Sequence, residues 1–333
     1  MSMNRRDFLK IMGGTTAAFA FPTVILQGCK KAIEKATART PIIWIQAQSC
    51  SGCSVSLLNK MNPDIVSVIT EHISINYHQT LMAATGNTAI DVLRDARSLK
   101  RKDFVLIVEG SIPTKDDYYC TIGHNDKTGH HHSAREWVTD LAKNAVAVVA
   151  VGTCATGGGI PGASGNPTGA KALQEILPDK TVLNVPGCPP HPDWMVGTLL
   201  HVLLKGIPEL DEQMRPKMFY GETVHENCER LSYYKQGVFA KEWGDKGCLY
   251  NLGCLGMDSG CDIPKRKWVD GTNSCTDSGA GCIGCTENTF PDFGKRGIFK
   301  HLHATAEEIN QIEHEEVRQA VLKLKENGGV ING

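Results

Sequence analysis

The sequence predicts an α/β protein: a doubly wound parallel sheet, followed by an irregular C-terminal region that bound metal holds together. Three observations carry this. Short β-branched runs alternate with amphipathic segments as far as residue 185, the pattern of strand–helix–strand units. Glycine is frequent (34 residues) and aromatic residues are few (6%), which suits a sheet core joined by tight turns. From about Gly206 the alternation stops, long apolar runs disappear and cysteines crowd together.

Taken in order, residues 1–28 read as an export leader and stand outside the fold. Asn4-Arg5-Arg6-Asp7-Phe8-Leu9-Lys10 is a twin-arginine motif. The apolar run 11–26 behind it contains Gly13, Gly14 and Pro22 and is short for a membrane span. Leu26-Gln27-Gly28-Cys29 resembles a lipobox, so Cys29 is either the lipidated first residue of an anchored protein or a cysteine lost with the leader. Residues 29–40 form a polar linker with Lys30, Lys31, Lys35 and Arg39. Strands are expected at 41–46 (PIIWIQ), 65–70, 104–109, 146–151 and 181–185, and helices at 55–60, 88–99, 134–143 and 170–176. That bounds a first domain at 41–205 and a second at 206–333, which closes on a charged amphipathic helix at 304–325. No long apolar helix follows Val330, so no C-terminal membrane anchor is expected.

Hydrophobic residues at 41%, charged residues at 21% and a formal net charge of −1 fit a globular protein and speak against a nucleic-acid partner. The 13 cysteines are an odd number and include Cys-x2-Cys pairs, which favours metal over a disulfide framework. A twin-arginine leader exports folded proteins, so these thiols can take up metal in a reducing compartment before export.

The cysteines fall where such a sheet places ligands, beyond the carboxyl ends of its strands. Cys50 and Cys53 follow the first strand, Cys154 follows 146–151, and Cys188 follows 181–185. Four thiols at one edge suit a 4Fe–4S cluster or tetrahedral zinc. Eight more ligands lie beyond residue 206. His225-x2-Cys228 with Cys248-x5-Cys254 makes a three-thiolate, one-imidazole set, and Cys261, Cys275 and Cys282-x2-Cys285 make an all-thiolate set. A region so poor in apolar residues needs a further constraint, which metal ligation supplies. Zinc fits each set by count and disulfides remain an alternative, but three centres in series make sense if electrons travel along them.

At this point a resemblance becomes specific. Gln46-Ala47-Gln48-Ser49-Cys50-Ser51-Gly52-Cys53-Ser54-Val55-Ser56-Leu57-Leu58-Asn59 resembles the first-cluster motif of nickel–iron hydrogenase small subunits. So do Val108-Glu109-Gly110-Ser111-Ile112-Pro113, Val151-Gly152-Thr153-Cys154 and the run from Val185 through Gly187-Cys188-Pro189-Pro190-His191 to Trp194. His225-Glu226-Asn227-Cys228 resembles the start of the family's distal-cluster motif, and Cys282-Ile283-Gly284-Cys285 the end of its middle-cluster motif.

The resemblance implies a flavodoxin-like first domain. It also implies three 4Fe–4S clusters: proximal on Cys50, Cys53, Cys154 and Cys188, distal on His225, Cys228, Cys248 and Cys254, and middle on Cys261, Cys275, Cys282 and Cys285. Most members of the family carry proline at the position of Cys275 and a 3Fe–4S middle cluster. A fourth thiolate there resembles the nickel–iron–selenium subgroup. The implied activity is reversible oxidation of hydrogen at a nickel–iron site in a separate large subunit. Electrons would leave this periplasmic chain for a multihaem cytochrome c or a membrane partner. Two other readings stand beside it: a subunit of another oxidoreductase of similar fold, and an exported, zinc-stabilised binding protein.

Cys120 reads as a buried thiol without a ligand role. His130-His131-His132 reads as a polar loop or a contact to the large subunit in preference to a metal site. Glu109, ending a strand, is either a proton carrier or a hydrogen-bonded structural carboxylate, and His191 and Trp194 read as packing residues that shield a cluster.

Overall fold

The computed structural model describes residues 39–98, 103–124, 128–292 and residue 319. The leader, Cys29 and, apart from residue 319, the 304–325 segment lie outside these. In chain order the strands are β1 (Thr40–Gln46), β2 (Ile73–His78), β3 (Phe104–Glu109), β4 (Thr121–His124), β5 (His131–Ser133), β6 (Ala145–Val151) and β7 (Val182–Val185). Five of them form a sheet in the order β2-β1-β3-β6-β7, parallel at every pairing. β4 and β5 form a separate antiparallel ribbon.

The sheet is covered on both faces because its apolar residues point both ways. Ile43 and Ile45 pack with residues of α2 (Gly86–Ser98) and α3 (Ala134–Asn144). Ile42 and Trp44 pack with residues of α1 (Gly52–Leu58) and α4 (Pro192–Lys205). Strand order 2-1-3 followed by the two later strands is the flavodoxin-like arrangement, with its topological switch between β1 and β3.

Some expected elements are placed differently. Residues 65–70 are not a strand: Ile65–Ser67 is a helical turn that runs into a π-helical turn at Val68–His72. Asp64 caps the first turn by accepting from the Val66 and Ser67 N–H groups, and the strand is the next segment, Ile73–His78. The helix expected at 170–176 shortens to Leu173–Ile176, because Lys171 pairs with Ile112 in an isolated bridge. The helix of 192–205 had no counterpart in the sequence reading. His191 caps it by accepting from the Asp193 N–H, and Pro192 sits in its first turn.

Beyond residue 206 the described residues form helical turns of five residues or fewer joined by irregular chain. Phe219, Tyr220, Val224, Cys261 and Ile263 belong to the core on the α4 face, and the described residues from Thr40 to Asp292 belong to one compact unit.

Candidate metal centres

The loops at the carboxyl ends of β1, β6 and β7 bring Cys50, Cys53, Cys154 and Cys188 together. Cys53 lies in the first turn of α1, Cys154 in the short helix Thr153–Gly157 and Cys188 in the loop after β7. Burial, and then Glu109 and the other three thiols, push the Cys53 thiol well up. Burial and Cys188 push Cys154 up to about 11, and burial and Cys50 raise Cys188. Thiols this close oppose one another's ionisation, so a bound cation would be needed to hold all four as thiolates. The approach is close: a Cβ on Gly152, whose φ is +84°, would stand 2.4 Å from Cys53 Sγ.

Glu109, at the end of β3 and 1% exposed, anchors this loop. Its Oε2 accepts from Trp44 Nε1 at 3.0 Å, Ser54 Oγ at 2.5 Å and Gln46 Nε2 at 3.3 Å. Its Oε1 accepts from the Cys53 N–H at 3.2 Å and Ser49 Oγ at 3.3 Å. Of the two sequence readings, the geometry is that of a hydrogen-bonded structural carboxylate.

Behind Ser54 stands His78, fully buried, with Nε2 3.0 Å from Ser54 Oγ. Its Nδ1 accepts from the Thr80 and Leu81 N–H groups at 3.1 and 3.3 Å. The network therefore assigns the proton to Nε2, which donates to Ser54. Burial lowers the His78 pKa to about 4, against the pull of Glu109. The unfolded chain thus binds a proton near pH 6.5 that the folded chain refuses down to about 4. Stability is full above pH 6.5 and falls between those values, by on the order of 3 kcal/mol from this group. Melting curves of wild type and His78→Gln from pH 7 to 4.5 check this: the variant should lose less stability across that window.

The C-terminal ligands gather in two further places. His225, Cys228, Cys248 and Cys254 line one small cavity. Cys228 Sγ accepts from the Arg230 N–H at 3.4 Å, and Arg230 holds the surrounding loops through the carbonyls of Gly247 at 2.9 Å and Thr276 at 2.9 Å. The other four thiols form a linked group. Burial, then Cys285, then Cys282 raise Cys261; burial, then Cys254 and Cys275, push Cys282 up to about 12; burial, then Cys282, raise Cys285.

Backbone contacts tie the three groups in series. The Cys282 N–H donates to Cys254 Sγ at 3.2 Å, and Leu255 N–H donates to the Cys282 carbonyl at 2.8 Å. Toward the first group, Thr153 Oγ donates to the Cys285 carbonyl and accepts from the Gly187 N–H at 2.9 Å. The buried Tyr220 hydroxyl donates to the Pro186 carbonyl at 2.9 Å.

All cysteines among the described residues are free thiols, so no disulfide joins any of these groups. Cys120 is half-buried against the core, away from the ligand groups. His191 and Trp194 are buried where α4 meets the C-terminal region: Trp194 Nε1 donates to Asp262 at 2.7 Å and its ring lies 5.0 Å from Tyr220. The sequence reading did not find Trp44 and Ser54 as donors to Glu109, or His78, which reaches it through Ser54. Trp44 and His78 stand on separate strands outside any motif, and Ser54, although inside the Gln46–Asn59 run, carries no local sign of this role. Cys29 lies outside the described residues.

Residues 50–202 match the family described as NADH ubiquinone oxidoreductase, 20 Kd subunit, and residues 220–296 match the family of the C-terminal part of the NiFe/NiFeSe hydrogenase small subunit. The periplasmic [NiFeSe] hydrogenase small subunit of Desulfomicrobium baculatum is 42% identical over 307 residues, covering 88% of this chain and 97% of that one. The hydrogenase-2 small chain of Escherichia coli K12 is 36% identical over 99% of this chain and 87% of its own length. The crystal structure of the reduced Ni-Fe-Se hydrogenase of Desulfomicrobium baculatum superimposes with a TM-score of 0.73 at 44% identity, over 76% of this chain and 96% of that one.

Proposed function

The chain belongs to the small-subunit family of nickel–iron and nickel–iron–selenium hydrogenases, and from that premise we propose that it carries electrons through three 4Fe–4S clusters, to and from a large subunit where hydrogen is oxidised. The observation that carries the proposal is the serial tie between the three ligand groups: Thr153 joins the first to Cys285, and the Cys282 N–H joins the second to Cys254.

The chemistry of the donor sets suits the proposed cofactor. Cys50, Cys53, Cys154 and Cys188 would hold the proximal cluster, Cys261, Cys275, Cys282 and Cys285 the middle one, and His225, Cys228, Cys248 and Cys254 the distal one. Bound there, each cluster supplies a one-electron carrier. In the distal and middle groups the chain's own backbone directs N–H dipoles at sulfur: Arg230 N–H at Cys228, Cys282 N–H at Cys254 and Gly284 N–H at Cys282. Spacing argues against zinc. Tetrahedral zinc with ~2.3 Å bonds holds its sulfurs about 3.8 Å apart. The only group of three His, Cys, Asp or Glu donors found within 4.8 Å of one another among the described residues is His130, His132 and Glu136, not a cysteine set.

The large subunit would dock on the face where exposed Cys50 is followed on α1 by Val55 and Leu58, 57% and 44% exposed, and then by Met61, 52% exposed. Export by the twin-arginine route, to the periplasm where the Desulfomicrobium relative is named as residing, belongs to the same reading. So do lipid anchoring through Cys29, a periplasmic multihaem cytochrome c as electron partner, and a boundary near residue 205 between proximal and distal-middle regions.

Iron and acid-labile sulfide analysis of the purified heterodimer, with EPR redox titration, tests the proposal. This chain should contribute about twelve irons with matching sulfide. Sulfur-bound zinc without sulfide would overturn it.

A further inference from the structure

We propose that His130, His132 and Glu136 form a surface site for one divalent transition cation of the zinc class, separate from every cysteine group. One donor atom from each of the three lies within 4.8 Å of the others, the spacing of ligands around a single ion. In the structure the carboxylate bridges both imidazoles: His130 Nε2 is 3.0 Å from Glu136 Oε2, and His132 Nδ1 is 2.9 Å from Glu136 Oε1.

The fold builds this arrangement at a strand-to-helix junction. His132 and Ser133 end β5, and Ser133 caps α3 by accepting from the Glu136 N–H at 3.0 Å. That cap fixes Glu136 in the first helical turn, four residues after His132 and within hydrogen-bond reach of its Nδ1. His132 is 5% exposed and lies 4.9 Å from the Trp137 ring, so one ligand is held rigidly by the core. His130 stands edge-on to it, with ring centroids 4.8 Å apart, and its exposed side chain leaves an open approach for water ligands. The tripeptide run alone conceals the site. His131 points to the other face of β5, toward His124 and Tyr118, while the third ligand comes from the next element.

Two imidazoles and one carboxylate are a donor set that zinc, nickel and copper accept and that magnesium and calcium do not favour. A cation there would replace the two hydrogen bonds with two bonds to imidazole nitrogen and one to carboxylate oxygen. It would clip the β4–β5 ribbon to α3. Arg97 faces the site with a like charge, its Nη1 3.5 Å from Glu136 Oε1. Arg97 also reaches Asp140 at 3.7 Å and stacks over Trp137, so partners remain for it when a cation takes the carboxylate.

The test uses the purified heterodimer, dialysed against limiting zinc, with zinc counted relative to iron and its neighbours read from zinc K-edge absorption. The wild type and His131→Ala should each retain one zinc with nitrogen and oxygen neighbours. His130→Ala and Glu136→Gln should bind it at least about 100-fold more weakly, since even outer partners of a metal site are worth up to that factor. Hydrogen oxidation should be unchanged in all four proteins. His130 is exposed, so its loss leaves the fold intact. Equal zinc in wild type and His130→Ala, zinc surrounded by sulfur, or no retained zinc would each overturn the site.

Discussion

Replacing Glu109 with leucine is expected to destabilise the protein by about 3–5 kcal/mol and to strip iron from the first ligand group. The carboxyl group takes five hydrogen bonds, from Trp44, Gln46, Ser49, Cys53 and Ser54, in a place closed to water. Each donor left without an acceptor costs roughly 1–3 kcal/mol, and some will find one another after the change. Leucine removes both oxygens at once. Among the donors is the Cys53 N–H, which fixes the turn carrying two of the four thiols, so the loop should loosen just where metal is held. Glu109→Gln keeps one acceptor oxygen and turns an amide toward donors, so it should fall between leucine and wild type. Thermal midpoints and iron content of the three proteins decide it. A leucine variant that keeps its full iron and melts within about 2 °C of wild type would show that the network is dispensable.

How far the sequence reveals this structure depends on the range of the interactions. β1, β3, β6 and β7 were legible because strands buried on both faces are near-continuously apolar, as FVLIV in β3 and AVAVVAV in β6 are. β2 was misplaced by one segment. IVSVIT is as β-branched as any strand, yet the Asp64 cap turns it into helix, and the following ISINYH, more polar, pairs with β1 instead. Most of the thiols that the fold gathers could be picked out because they stand directly after a strand or inside a short spacing, whereas Cys261 and Cys275 do neither. Their supports were not: Trp44, Ser54 and His78 converge on Glu109 from separate elements, and Glu136 joins His130 and His132 only once a helix starts between them. Local pattern gives the candidate ligands, whereas the fold supplies the groups around them.

If the proposed middle set holds a 4Fe–4S cluster, removing the Cys275 sulfur is expected to convert it from four irons to three while leaving its loop in place. The loop is held by other groups. Ser274 Oγ and Thr276 Oγ donate to the two oxygens of Glu229 at 2.7 and 2.8 Å, and Arg230 Nε donates to the Thr276 carbonyl at 2.9 Å. Cys275→Ala therefore deletes a thiolate from a fixed scaffold and leaves Cys261, Cys282 and Cys285 as the remaining ligands, all close enough to affect one another's ionisation. Three thiolates can hold a three-iron cluster, and the corner without a ligand loses its metal. A thiolate is an anion beside a redox centre, so its loss should also raise the potential, by well over the ~59 mV that shifts a one-electron equilibrium tenfold. The middle step would then trap electrons instead of passing them on. EPR of the oxidised heterodimer should gain a three-iron signal worth one spin per chain, iron should fall by one, and the titration midpoint should move upward. An unchanged four-iron spectrum in Cys275→Ala would mean that the fourth ligand is something other than Cys275, and the assignment of the middle set would fail with it.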